Sequence, residues 1–228
     1  MLAGIMLAPV VLCAAEFEGK VNFKMTPAKG EAQDVRYAIK NGKFRIELPG
    51  QNQMGGMIMD PVKRETIVLM DQQKMYMTMA IPDVPAETKA GRAGDEATLE
   101  KTGQTEKILG YTAEKYISKS KDATTELWLA EGLGSFMGFS NNGPMGGRRG
   151  GGSAPQAWER ALAGKSLFPL RVVSRDKGSK ETFRMEATSV DQTALPDSLF
   201  TPPADYQKFD MGNMMKGMMP GGMRPGGQ

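Results

Sequence analysis

A mainly β fold built on an antiparallel sheet is predicted by three observations. The first is residues 35–48, where Val35, Tyr37 and Ile39 alternate with Arg36, Ala38 and Lys40, and Phe44, Ile46 and Leu48 alternate with Lys43, Arg45 and Glu47. Side chains along a strand point to opposite faces in turn, so each arm puts its apolar set on one side and mostly charge on the other. The second is Asn41-Gly42 between the arms. Both residues tolerate the positive φ that a tight type I′ hairpin requires. The third is the recurrence of short strand patterns and turn residues along most of the chain, the mark of a meander, sandwich or barrel. A sheet of this kind has one buried face and one wet face.

The remaining elements follow in order. Phe17, Val21, Phe23 and Met25 share one face of a first strand, and residues 27–31 turn the chain into the hairpin. A Gly- and Gln-rich connection, residues 50–56, leads to Met57-Ile58-Met59 and a turn at Asp60-Pro61. Residues 66–70 and 75–79 flank Asp71-Gln72-Gln73-Lys74 as a second hairpin, and residues 66–70 are apolar on both faces, as in a central strand. Residues 82–100 are polar and without period, a surface linker. Strands resume at 105–109, 112–119 and 124–129, with Gly110-Tyr111 and Lys121-Asp122 at turns. Residues 131–139 suit one short helix, weakened by Gly132 and Gly134.

Residues 138–153 are dense in glycine and contain Arg148-Arg149, which reads as a flexible solvated loop rather than an RNA-binding segment. Ser153 suits the N-cap of a helix with Pro155 in its first turn and Gly164 at its end. Trp158, Ala161 and Leu162 form its apolar stripe, with Gln156, Glu159 and Arg160 facing away. Two long strands, 167–175 and 180–190, join across Lys177-Gly178. Pro196 to Phe200 and Pro202-Pro203 make a stiff edge segment, with Tyr206 and Phe209 as docking aromatics. Residues 211–228 are Met, Gly and Pro with little else, too poor in apolar surface to fold.

Composition removes several function classes. The chain of 228 residues has 29 Lys plus Arg against 26 Asp plus Glu, a formal charge of +3 that is too small and too evenly spread to argue for nucleic acid. There is no histidine, which removes the Ser-His-Asp triad, the Cys-His dyad, the usual zinc sites and the commonest general base. Residues 2–12 are an uncharged run too short for a permanent membrane span, followed by the small-residue exit Cys13-Ala14-Ala15. Residues 1–15 therefore read as a signal peptide, although no Lys or Arg opens them, and residues 16–210 as one exported domain of roughly ten strands. Localisation is then periplasmic or secreted. A lipidated Cys13 is the alternative, opposed by the bulk of Leu12; cleavage after Ala15 would leave no thiol.

Three stretches carry a family resemblance: residues 45–60 leading into TIVLMDQQKMYMTM, then TEKILGYTAEKYISKSKDATTELWLAEGLG, then LFPLRVVS with the closing LPDSLFTPPADYQKFDM. Together they resemble the exported bacterial family DUF4412, which is in turn similar to periplasmic lipoprotein carriers of the LolA and LppX type. The resemblance covers most of residues 16–211. It implies a curved antiparallel half-barrel, LolA-like, whose concave face is partly closed by a few short helices and suits acyl chains. It brings no catalytic residue with it.

On this reading Tyr37, Ile39, Phe44, Ile46 and Leu48 point to the concave side, joined by Met75 and Met77, while Trp158 and Leu162 lie over them as a gate. Phe44, Ile46 and Trp158 are expected to border an apolar mouth. Met54, Met57, Met59, Met75, Met77 and Met79 suit either a core or an adaptable lipid pocket, because thioether chains fill irregular apolar space. Met211, Met214, Met215, Met218 and Met219 in the tail are soft donors that a Cu(I) ion accepts, with plain low-complexity sequence as the simpler account. The carboxylate pairs Asp95-Glu96 and Glu181 with Glu186 read as solvated surface, not as hydrolytic pairs. The expected function is non-catalytic: an envelope monomer, without cofactor, that binds a lipid or a lipoprotein acyl chain. A protein-interaction module with a packed core and a Met-tail metal binder are the other classes.

Overall fold

The computed structural model describes residues 17–50, 55–81, 98–138 and 157–209. The expected signal peptide, Cys13, Met54, the Asp95-Glu96 pair, the body of the Gly-Arg loop, Ser153 and the tail methionines lie outside the described residues.

The described chain forms one open, curved sheet of twelve strands, two more than the rough expectation. In chain order they are β1 Gly19–Pro27, β2 Gln33–Lys40, β3 Lys43–Glu47, β4 Gly56–Asp60, β5 Glu65–Met70, β6 Met75–Ala80, β7 Thr98–Ile108, β8 Tyr111–Lys119, β9 Ala123–Ala130, β10 Phe168–Asp176, β11 Glu181–Gln192 and β12 Gln207–Lys208. Their spatial order is β12-β6-β5-β4-β3-β2-β1-β11-β10-β9-β8-β7. The first strand is thus central. It joins one wing, β1 to β6, to a second wing, β7 to β11, and all pairings are antiparallel except β12 on β6. Asn41 and Gly42, at φ 49° and 69°, make the predicted tight turn between β2 and β3.

Directly paired residues share a face, so the register tells which side chains meet. One row runs Val21, Tyr37, Ile46, Met57, Val68, Met77, and the next runs Gly19, Ile39, Phe44, Met59, Thr66, Met79. The curvature is legible in the rings. Tyr37 on β2 and Phe168 on β10 are separated by β1 and β11, about 14 Å in a flat sheet at about 4.8 Å per strand. Their ring centroids are 5.8 Å apart. The sheet bends so that its concave face closes on itself, and the main apolar core lies there.

Four sequence expectations are corrected. Residues 131–138 are not helical: Gly132 and Gly134 sit at φ 84° and 79°, outside the right-handed helical region, and the segment crosses the concave face as an irregular strap. β7 starts at Thr98, inside the expected linker. An edge strand needs no apolar face, and its exposed Glu and Lys side chains guard an open edge, so it carries no hydrophobic period to detect. The turn before β8 is Leu109-Gly110, with Tyr111 already in the strand. Finally, the convex face is not wholly wet. Ala38, Ile58 and Leu69 form a second buried cluster with Leu195 and Phe200 of the C-terminal segment, which crosses that face before β12 reaches the sheet edge.

The one α-helix among the described residues, α1 (Ala157–Leu162), is followed by Gly164 at φ 75°, the predicted stop. No described helix is long and apolar enough to cross a membrane.

Candidate functional site

The concave face is organised around Phe136, a residue not anticipated among the site residues. Carried by the strap, its ring stacks on Tyr37 at 5.8 Å and on Trp158 at 5.8 Å, and meets Phe168 edge-on at 5.6 Å. Trp158 also stacks on Phe183 of β11 at 6.4 Å. Cover and sheet are therefore joined by an aromatic cluster of seven rings among the described residues, with Phe23 stacked on Phe168 at 6.0 Å and Phe44 tilted against Tyr37 at 5.9 Å. Such pairs add roughly 0.5–1.5 kcal/mol each beyond the area they bury. The sequence signal for Phe136 was present: Leu133, Phe136 and Met137 are large apolar residues spaced by glycines, a composition suited to an inserted strap.

One polar tie fixes the strap. The Tyr37 hydroxyl donates to the Met137 carbonyl oxygen at 3.2 Å and accepts from the Met137 N–H at 3.0 Å. Tyr37 is 1% exposed, and burial pushes its phenol far above the ordinary value, against a smaller opposing effect of the Met137 backbone bond. The hydroxyl is a neutral latch that satisfies both backbone groups of one residue.

The structure brings most of the sequence-predicted residues together. Tyr37, Ile39, Phe44, Ile46, Trp158 and Leu162 belong to the same buried cluster, and Leu48 packs against it. Phe44, Ile46 and Trp158 are 4%, 3% and 1% exposed, so these three border no open mouth in this state. Met75 and Met77 share the concave face by register but lie outside that cluster, half-buried on β6. With Met57 they extend the apolar face toward the sheet edge, beyond the aromatic cluster. Glu159, expected to face away from the helix stripe, is instead buried. It lies against Gly138, where even a Cβ would stand 3.0 Å from its carboxylate carbon.

Chemically, the concavity is apolar around the aromatic cluster, while at its β7–β9 end a cleft of about 370 Å³ is lined by Thr105, Thr112, Glu114, Tyr116 and Glu131 beside Leu129 and Leu167. Among the described residues no three His, Cys, Asp or Glu side chains gather to hold a metal. Glu181 and Glu186, weighed as a hydrolytic pair, both bind Arg184, at 2.6 and 3.1 Å. Hydrogen bonding to Arg184 holds the Glu181 carboxyl below its ordinary range. Thr66, between Met59 and Met79 in register, is the buried residue whose side-chain oxygen has no hydrogen-bond partner among the described residues.

Several solved structures are similar to this chain. An uncharacterized conserved protein from Thermus thermophilus shares 14% identity at a TM-score of 0.47, over 84% of this chain and 90% of that one. A chain of the Pseudomonas aeruginosa MucA/MucB complex shares 10% identity at a TM-score of 0.47, over 84% of this chain and 58% of that one. A LolA superfamily protein from Nitrosomonas europaea shares 15% identity at a TM-score of 0.31, over 82% of this chain and 90% of that one. No curated protein matches. The family profile described as Domain of unknown function (DUF4412) matches residues 17–206, nearly all of the described sheet, and the chain belongs to that family.

Proposed function

We propose that this is a non-catalytic protein of the bacterial envelope that binds an apolar ligand, of the lipid or acyl-chain class, along its concave face. The observation that carries the reading is the origin of the cover. The space inside the curved sheet is filled by Leu133, Phe136, Trp158 and Leu162, which come from an irregular strap and a six-residue helix rather than from strands. Such a cover can move without breaking a ladder of sheet hydrogen bonds. The half-buried Met57, Met75 and Met77 offer an adaptable apolar entrance beside it. Each methylene buried there would contribute roughly 0.8 kcal/mol, so an acyl chain that displaced Phe136 would recover what the cover loses.

The ring-to-ring packing also supports a second reading, a protein-interaction module whose core is permanently closed. Trp158 separates the two. Trp128, the other tryptophan, lies near Lys115 and Arg171 at 5.8 and 5.9 Å, so Trp128→Phe leaves Trp158 as the reporter inside the concavity. Titration of that variant with a long-chain fatty acid is expected to change Trp158 emission saturably. Phe136→Ala should tighten binding, because the ligand no longer competes with that ring. No emission change in either background would leave the interaction module as the better account.

A further inference from the structure

On the convex face, opposite the aromatic cluster, a cleft of about 280 Å³ opens between β1, β2 and β3 and the C-terminal segment. Its shape follows from the register. Lys20, Ala38 and Arg45 are directly paired neighbours on three adjacent strands, so a small side chain lies between two long cationic ones about 10 Å apart at their backbones. Arg36, two residues before Ala38 on β2, faces the same side. Leu199 of the C-terminal segment supplies the far wall.

The charge in this cleft is unbalanced. Arg45 is held in place: its Nε donates to Glu47 at 2.7 Å and its Nη1 to the Leu199 carbonyl oxygen at 3.0 Å. Arg36 shares the same carboxylate at 4.0 Å. Lys20 has no ion pair among the described residues. Among the residues that line the cleft three cations thus face one carboxylate, while Asp191, paired with Lys20 across β1 and β11, lies outside the lining and makes no ion pair with it. One of the cations is positioned by two hydrogen bonds, and the other two have most of their donors free. Farther along the sheet, Arg171 lies between Glu106 and Glu186, and Lys115 and Arg175 share Glu126.

We propose that this cleft binds a phosphate-type oxyanion, with the Arg36 guanidinium and the Lys20 ammonium as its ligands and Arg45 as the fixed positive wall. A guanidinium fork matches the spacing of phosphate oxygens, and an ammonium adds a point charge without geometric demand. The site is independent of the concave-face reading, since it lies on the other side of the sheet.

The test is titration of the full chain with inorganic phosphate, followed by the backbone amide signals of Lys20, Arg36, Ala38 and Arg45. Saturable shifts at these four are expected, weakening as salt rises. In Lys20→Gln/Arg36→Gln the affinity should fall roughly tenfold or more, since two charged hydrogen-bonding partners are lost. Both side chains are at the surface, so the fold should be untouched, and Ala38→Val offers an independent check by filling the floor without altering charge. A vesicle arm identifies the source of the phosphate. Sedimentation with phosphatidylglycerol vesicles that inorganic phosphate competes away would assign a lipid headgroup. Phosphate binding without vesicle binding would assign a soluble phosphorylated ligand. No saturable shift, or one unchanged in the double variant, would overturn the proposal.

Discussion

Tyr37 shows how one atom can hold a cover on a sheet. Its hydroxyl serves both backbone groups of Met137 from a side chain that is 1% exposed. Tyr37→Phe keeps the ring stack and removes the latch, leaving the half-buried N–H and C=O of Met137 without this partner, which costs about 1–3 kcal/mol. A shift of the denaturant midpoint by that amount is expected, with faster amide exchange at Met137. A variant as stable as the parent would show that the strap is held by Phe136 alone. Thr66 gives the opposite case. Its buried hydroxyl has no partner among the described residues, and Val has nearly the same shape with high strand preference. Thr66→Val should therefore stabilise by about 1 kcal/mol, read as a rise in the same midpoint; destabilisation would mean that the hydroxyl has a partner after all.

At the scale of elements, the C-terminal segment is held by a small apolar cluster and a set of polar ties. Leu195 and Phe200 bury on the convex face, and Leu199 and Tyr206 pack against the same cluster. Lys40 binds Glu18 at 3.3 Å and Asp197 at 2.9 Å, Lys74 binds Asp205 at 2.9 Å, and the Tyr206 hydroxyl donates to Asp71 at 2.7 Å. Hydrogen bonds from Lys40 and Lys74 hold the Asp197 and Asp205 carboxyls below their ordinary range, and the bond to Asp71 raises the Tyr206 phenol to about 12. A carboxyl whose pKa is depressed by folding contributes its full stability above the unfolded value, near 3.9 for Asp, and loses it as pH falls through the depressed value. The contribution of each exposed pair is small, so the effect should be local. As pH falls from about 4 toward about 2, the amides of Gln207 and Phe209, which donate to Lys74 and Tyr76, should lose exchange protection before those of β1 and β2. Equal protection of both sets at about pH 2 would show that the apolar contacts anchor the segment by themselves.

At the scale of the whole molecule, β1 decides whether there is one folding unit or two. Val21 faces Tyr37 on one side and Val190 on the other, so the wings share a strand rather than an interface. Phe23 stacks on Phe168 and meets Tyr37 edge-on at 6.4 Å, with 1% exposure. Phe23→Ala should cost about 3–5 kcal/mol, and unfolding should remain a single transition by calorimetry and by far-UV circular dichroism. Two separated transitions would mean that each wing folds by itself.

What the sequence determined is local and periodic. Period-two alternation and the Asn41-Gly42 turn specified β2 and β3, and with them the concave side of Tyr37, Ile39, Phe44 and Ile46, because the faces of a strand are settled by its own residues. The stripe of α1 was legible for Trp158 and Leu162 but not for the burial of Glu159, which depends on an approach to Gly138 that helical period does not encode. The strap departs from the helix its composition suggests because Gly132 and Gly134 adopt positive φ, and the first half of β7 carries no strand period because an exposed edge strand needs no apolar face, whereas its second half, within 105–109, does read as strand. The tertiary structure alone decided that the first strand is central, that the C-terminal segment crosses the convex face, and that Phe136 fills the concavity. Each of these depends on contacts between residues far apart in the chain, which the curvature of the sheet brings within about a ring's width of one another, and no local pattern records them.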